Sequence, residues 1–246
     1  WDGGFVPGTF DVVRFTPHSA FPIPHSLVDS AFAGTIAGLT LASGYSGTVT
    51  LARDLTVTGD VTLQGGTLHP SPFTLTVGGN WTLAGGAFDA GTSTVVFADP
   101  SKPSTIRGQT TFYNLVSTTP DKKLYFEAGA TQTILGALTM EGEAGHLLWL
   151  RSTASHELAA EPVLALNESA QWRLDPRGPV SLRMVHIGDT HNLRPEPIKA
   201  LPSNSFGNNT GIDADPVWDN SSTAGLWSTA TNWDTNVVPG SADTAT

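Results

Sequence analysis

Three carboxylates toward the end of the chain, Asp213, Asp215 and Asp219, form the group of side chains best suited to chemistry. They follow closely on Asn208 and Asn209, and calcium takes about six to eight oxygen ligands from carboxylates, side-chain amides and backbone carbonyls. The three are therefore the candidate metal site, with calcium as its ion. Elimination chemistry at such a site also needs a base beside the metal. No Arg or Lys stands within the cluster, and Lys199 is the nearest upstream. The competing reading is structural: Gly207-Asn208-Asn209 makes a turn, because Asn tolerates positive φ.

Other beginnings of motifs stop short. His156-Glu157-Leu158-Ala159-Ala160 opens like a zinc-protease helix, but the second ligand would be a His at position 160, where the chain has Ala. Gly44-Tyr45-Ser46-Gly47 lacks the spacing of a nucleophile elbow. The seven His are scattered, and there is no Cys, which removes disulfides, thiolate metal sites and thiol nucleophiles together. No catalytic residue is assigned, and no cofactor is expected beyond calcium.

Composition sets the frame that would position such residues. Charged residues make up 14% of the chain, against about 25% in ordinary domains. Yet 39% are hydrophobic, so a sizeable core is within reach. Frequent Gly, Thr and Val fit many short strands joined by tight turns. The net charge of -10 argues against nucleic acid, whose binders carry basic patches. No apolar run approaches about 18 residues, so no membrane insertion is expected.

The chain repeats itself at two scales. Trp1, Asp2, Val6, Pro7, Gly8 and Asp11 recur in register as Trp233, Asp234, Val238, Pro239, Gly240 and Asp243. The chain thus reads as an excised unit that begins inside one motif and ends inside the next copy, in a tandem array of long period. Within the unit, Gly59-Asp60-Val61-Thr62-Leu63-Gln64-Gly65-Gly66 aligns with Gly79-Asn80-Trp81-Thr82-Leu83-Ala84-Gly85-Gly86, and Leu55-Thr56-Val57 with Leu75-Thr76-Val77, at one offset of 20 residues. Gly38-Leu39-Thr40-Leu41 reads as an earlier copy and Gly136-Ala137-Leu138-Thr139-Met140 as a later one, with Leu138 in the place of Trp81. Val61 and Leu63 should face one side and Thr62 the other, as should Leu75 and Val77 against Thr76. A period of this size, built from short strands and Gly turns, is that of β-helix coils, which bury their apolar faces only by stacking. A β-sandwich with similar hairpins is the competing architecture.

Several segments resemble bacterial extracellular repeat proteins of the giant surface and adhesin type. Gly225-Leu226-Trp227-Ser228-Thr229-Ala230-Thr231-Asn232-Trp233, followed by Pro239-Gly240 and Asp243, is similar to their opening W-S-x-A-x-N-W…P-G-x-x-D motif. Thr111-Phe112-Tyr113-Asn114-Leu115 resembles their T-F-Y-N-L coil, and Ser203 to Thr210 their closing G-N-N coil. Leu150-Arg151-Ser152-Thr153 and Gln171-Trp172 resemble a pair that runs on directly in the family, whereas residues 154–170 intervene here. The resemblance implies an all-β, right-handed parallel β-helix displayed outside the cell, with adhesive or scaffolding duty and no catalytic residues.

The expectation is a solenoid repeat unit over residues 1–216 and a junction segment over 217–246 that begins the next repeat. The unit would serve a filament, sheath or adhesin at the bacterial cell surface, with copies of itself end to end as partners and surface glycans as further candidates. Trp1, Pro7, Asp11, Trp227, Trp233, Pro239 and Asp243 would form the assembly junction. Trp81, Trp149 and Trp172 should fill or cap the core. The alternative function is a β-helix that binds or cleaves polysaccharide, an inference from fold analogy.

Overall fold

The computed structural model describes residues 6–17, 25–154, 168–200, 203–205, 207–214 and 226–229. These form strands of two to five residues, and none of them is helical. The molecule is a parallel β-solenoid. The chain visits three sheets in rotation: Val61–Leu63 lies in a nine-stranded sheet, Thr67–His69 in a four-stranded one and Thr74–Val77 in a seven-stranded one, before Trp81–Leu83 returns to the first. Seven turns supply a strand to each side, from Val12–Phe15 to Val180–Arg183, and further strands continue the coil to Ile212–Asp213.

The 20-residue echo is one turn of this coil. Val61, Thr62 and Leu63 lie opposite Trp81, Thr82 and Leu83. Leu55, Thr56 and Val57 lie opposite Leu75, Thr76 and Val77. Leu39 precedes Val61 in the same row, as its spacing suggested. Residues alternate in and out along each strand, so Val61, Leu63, Leu75 and Val77 are buried while Thr62 and Thr76 face outward. Leu83 keeps the expected register but is only partly buried.

Corners use short polar side chains and glycine. Asp60 accepts the Asn80 backbone N–H at 2.7 Å, Asn80 in turn accepts that of Thr105 at 2.8 Å, and Asn114 accepts that of Ala137 at 2.8 Å. Each carboxyl or amide thus fastens the turn after its own. A Cβ at Gly65 would sit 2.6 Å from the Ala42 carbonyl, and Gly66 bends at φ +58°, so this corner excludes side chains.

The later copy does not fall where a constant period puts it. Leu138 stacks between Leu115 and Val180 in the seven-stranded sheet, not in the row of Trp81. That row continues through Ile106 and Phe126. The cause is a change of turn length: Ile106 follows Trp81 by 25 residues, and Leu150 follows Leu124 by 26. Across the first of these turns the second side of the coil is interrupted. One four-stranded sheet ends at Ala87–Phe88 and another begins at Thr110–Phe112. The fully buried Trp81 fills this break, with its ring 4.8 Å from Phe88 and 5.4 Å from Phe112. Its indole N–H donates to the Thr110 hydroxyl at 3.0 Å.

Further along, Trp172 is buried and stacks on Phe126 at 3.9 Å, as a core residue should. Trp149 departs from expectation: it sits on the outer side of its strand, because Leu148 and Leu150 take the inward positions. A void of about 10 Å³ among Phe126, Met140, Trp172 and Leu182 has room for one water at most, so this stretch of the interior holds no ligand.

Burial of Leu63 contributes about 1.5–3 kcal/mol by area alone. Leu63→Asp adds an unpaired charge to a dry interior and should cost at least about 4 kcal/mol in urea denaturation. Thr62→Asp, one residue away but facing outward, should stay within about 1 kcal/mol of the parent. Equal losses at the two positions would contradict the inward–outward assignment.

Candidate functional site

The end of the coil that starts at Val12 is open among the described residues. Val12–Phe15 pairs only with Gly38–Leu41, His25–Val28 only with Thr48–Leu51, and Thr35–Ile36 only with Leu55–Val57. Each first-turn strand therefore presents one unpaired edge in the same direction. Between them lies a cavity of about 260 Å³ whose wall is mostly apolar, built from Pro7, Val13, Phe15, Val28, Phe32 and Ile36 among others. Phe10 is 94% exposed and Leu27 61% exposed beside it. Apolar surface and free strand edges together are what a solenoid must cover.

The recurrent Pro-Gly-x-x-Asp motif leads into this end, and its first copy has a local physical meaning. The Asp11 carboxylate accepts the Gly8 N–H at 2.7 Å, and the Asp11 N–H donates to the Gly8 carbonyl at 3.1 Å. The Asp11 carbonyl then accepts the Ala37 N–H at 2.9 Å, which starts the ladder to the next turn. The motif is a closed turn that aims the first strand. Of the expected junction residues, Pro7 lines the cavity, Asp11 closes this turn and Trp227 is largely exposed. Trp1, Trp233, Pro239 and Asp243 lie outside the described residues.

The acidic cluster is described only at Asp213. This residue is exposed and pairs in register with Lys199, which is also exposed. Its carbonyl accepts the Ala200 N–H at 2.7 Å. Asp215 and Asp219 lie outside the described residues, as does the segment His156 to Ala160. The amides before the cluster are engaged in the coil: Asn208 turns at φ +50° and donates to Asp189 at 2.8 Å, and Asn209 accepts the Thr190 N–H at 3.0 Å. Among the described residues no three His, Asp or Glu side chains converge on a metal position.

Two titratable groups escaped the sequence reading. Lys122 is fully buried, and its ammonium donates to the Lys102 carbonyl at 2.7 Å, the Asp99 carbonyl at 2.9 Å and the Ser104 hydroxyl at 2.7 Å. It holds together the lengthened corner after Trp81. Burial draws its pKa down to about 8, against the pull of Asp99. His186 lies outward in the row Lys123–Trp149–His186. Its Nε2 accepts from the Arg151 guanidinium at 3.2 Å, which requires the neutral ring, since guanidinium only donates. Burial, then Arg151 and Lys123, lower its pKa to about 4. In this row the Trp149 indole is flanked by the Lys123 ammonium, 4.6 Å from the ring centroid, and by the His186 ring at 4.4 Å. No spacing in the sequence marks Lys122 or His186, because their partners come from other turns.

Comparison with known families, with curated proteins and with solved structures finds no match for this chain.

The two lowered pKa values set a pH dependence whose sign is fixed. In both cases the unfolded chain binds the proton more readily than the folded one, so stability rises with pH across each window. Acidification from about 6.5 toward about 4 should destabilise the protein by charging His186. Stability should rise again between about 8 and 10.5 as Lys122 loses its proton. Denaturant midpoints measured across pH check both, and His186→Gln should flatten the acid limb while leaving the alkaline one.

Proposed function

We propose that this chain is a structural repeat of an extracellular bacterial filament, sheath or surface adhesin, in which copies join end to end. The observation that carries the reading is the open first turn, where three strand edges, unpaired among the described residues, surround an apolar cavity. A free edge is a template for another strand, and a coil that stacks on itself stacks equally well on a second coil of the same period. The motif that leads into this end is the one the chain repeats at Trp233–Asp243, so the next copy begins where this one finishes. A joint that advances by a fixed step produces an open fibre and not a ring.

The resemblance of the Trp227–Trp233 and Thr111–Leu115 segments to bacterial surface repeats supports a place outside the cell and a mechanical role without catalysis. A chain without Cys depends on no disulfide in that setting. The coil in this reading is right-handed, the sense of about 98% of parallel crossovers. A sugar-binding role would call for an aromatic ring with an open face. Trp149 is instead hemmed in by Lys123 and His186 on the turns to either side.

The test is a chain of two copies, residues 1–232 followed by residues 1–246. End-to-end packing should raise the melting temperature several degrees above that of the single chain, with little dependence on salt because the joint is apolar and backbone-bonded. X-ray scattering should give one straight rod of doubled length. Two independently melting bodies on a flexible tether would refute the proposal.

A further inference from the structure

We infer that the cavity at the first turn receives the Leu226-Trp227 pair of the preceding copy. The inference rests on the end-to-end reading and adds the identity of the group that closes the joint. The long repeat places Trp233 where the next copy has Trp1, so Trp227 stands six residues ahead of that start. The cavity begins at the next copy's Val6 and Pro7, whose counterparts are Val238 and Pro239. Pro239 lies twelve positions after Trp227. At about 3.4 Å per residue the intervening chain reaches roughly 40 Å when extended. It can therefore fold back over the first turn without strain.

Chemistry and size agree with this seat. Leu226 is 58% exposed and Trp227 72% exposed, on a short turn closed by Thr229 N–H to the Leu226 carbonyl at 3.0 Å. The cavity of about 260 Å³ is walled by Val, Ile, Phe and Pro side chains. An apolar cavity of about 150 Å³ already admits benzene, so an indole has room here. Ser26 and Asp29 also line the cavity and give it a polar rim. One Asp29 oxygen accepts the Ala31 N–H at 2.7 Å. The pair thus matches an apolar body to apolar walls.

The two-copy chain tests this by hydrogen exchange followed by mass spectrometry. Amides of residues 25–36 in the downstream copy should exchange at least tenfold more slowly than the same amides in the single chain. Trp227→Ala in the upstream copy should abolish that protection, and Trp227→Phe should keep most of it. Trp227→Ala in the downstream copy, which has no neighbour to fill, should leave it unchanged. Protection that survives the upstream Trp227→Ala change overturns this inference while the end-to-end joint stands. If the two-copy chain shows no protection over the single chain, the end-to-end reading itself fails, and the inference with it.

Discussion

Each strand among the described residues is hydrogen-bonded only to strands of the turn before it or the turn after it. That constraint governs everything else. Parallel pairing in register forces residues at equal positions to stack, so an inward side chain has as its nearest neighbours the inward side chains one turn away. Leu55, Leu75, Val95, Leu115 and Leu138 form such a row, each touching the next. No turn buries its apolar face alone, and no turn can change its phase without disturbing its neighbours. Corners obey the same rule. An Asp or Asn at a corner satisfies a backbone N–H one turn later, so the polar side chains that shape a bend also lock the spacing between turns.

The longer turns show what the constraint costs where it is relaxed. Five extra residues between Phe97 and Ile106 are recovered before Leu115, and across this shift the second side of the coil falls into two sheets that share no ladder. Three aromatic rings, large enough to replace the missing strand contacts, occupy the break. The loop that creates it carries carbonyls pointing inward, and the Lys122 ammonium satisfies several of them at once. A buried lysine is unfavourable in isolation, yet here it supplies donors to carbonyl groups that would otherwise be buried unpaired. The desolvation that remains after this compensation lowers its pKa.

These facts explain what was legible in the sequence. Where the period holds at 20 residues, alternation and Gly punctuation locate the strands and their facing, as for Val61-Thr62-Leu63 and Trp81-Thr82. A repeat pattern reports phase only while turn length is constant. The Gly-x-Leu-Thr pattern around Leu138 therefore belongs to a different sheet from the one its likeness to Trp81 implied. Trp149 was misplaced for a related reason, since a strand with Leu on both sides of a Trp leaves the facing to be settled by neighbouring turns. Lys122 and His186 were invisible because their roles arise from residues 18 to 44 positions away, joined only by the coil. The apolar cavity at the first turn was invisible too, being a property of what fails to stack there.

The same constraint that builds the interior makes the ends of the coil its weak points. A middle turn has neighbours on both sides, whereas the first turn has one, and its inward residues Val13 and Ile36 are half supported. Adding turns does not cure this; it moves the exposed layer along the axis. Globular proteins cap such layers with polar elements, and the described residues carry none at the first turn. A repeated leading motif is the other solution, because it makes the cap of one unit the start of another. In the proposed end-to-end reading, the Pro-Gly-x-x-Asp turn serves the joint by aiming the first strand and leaving its outer edge free.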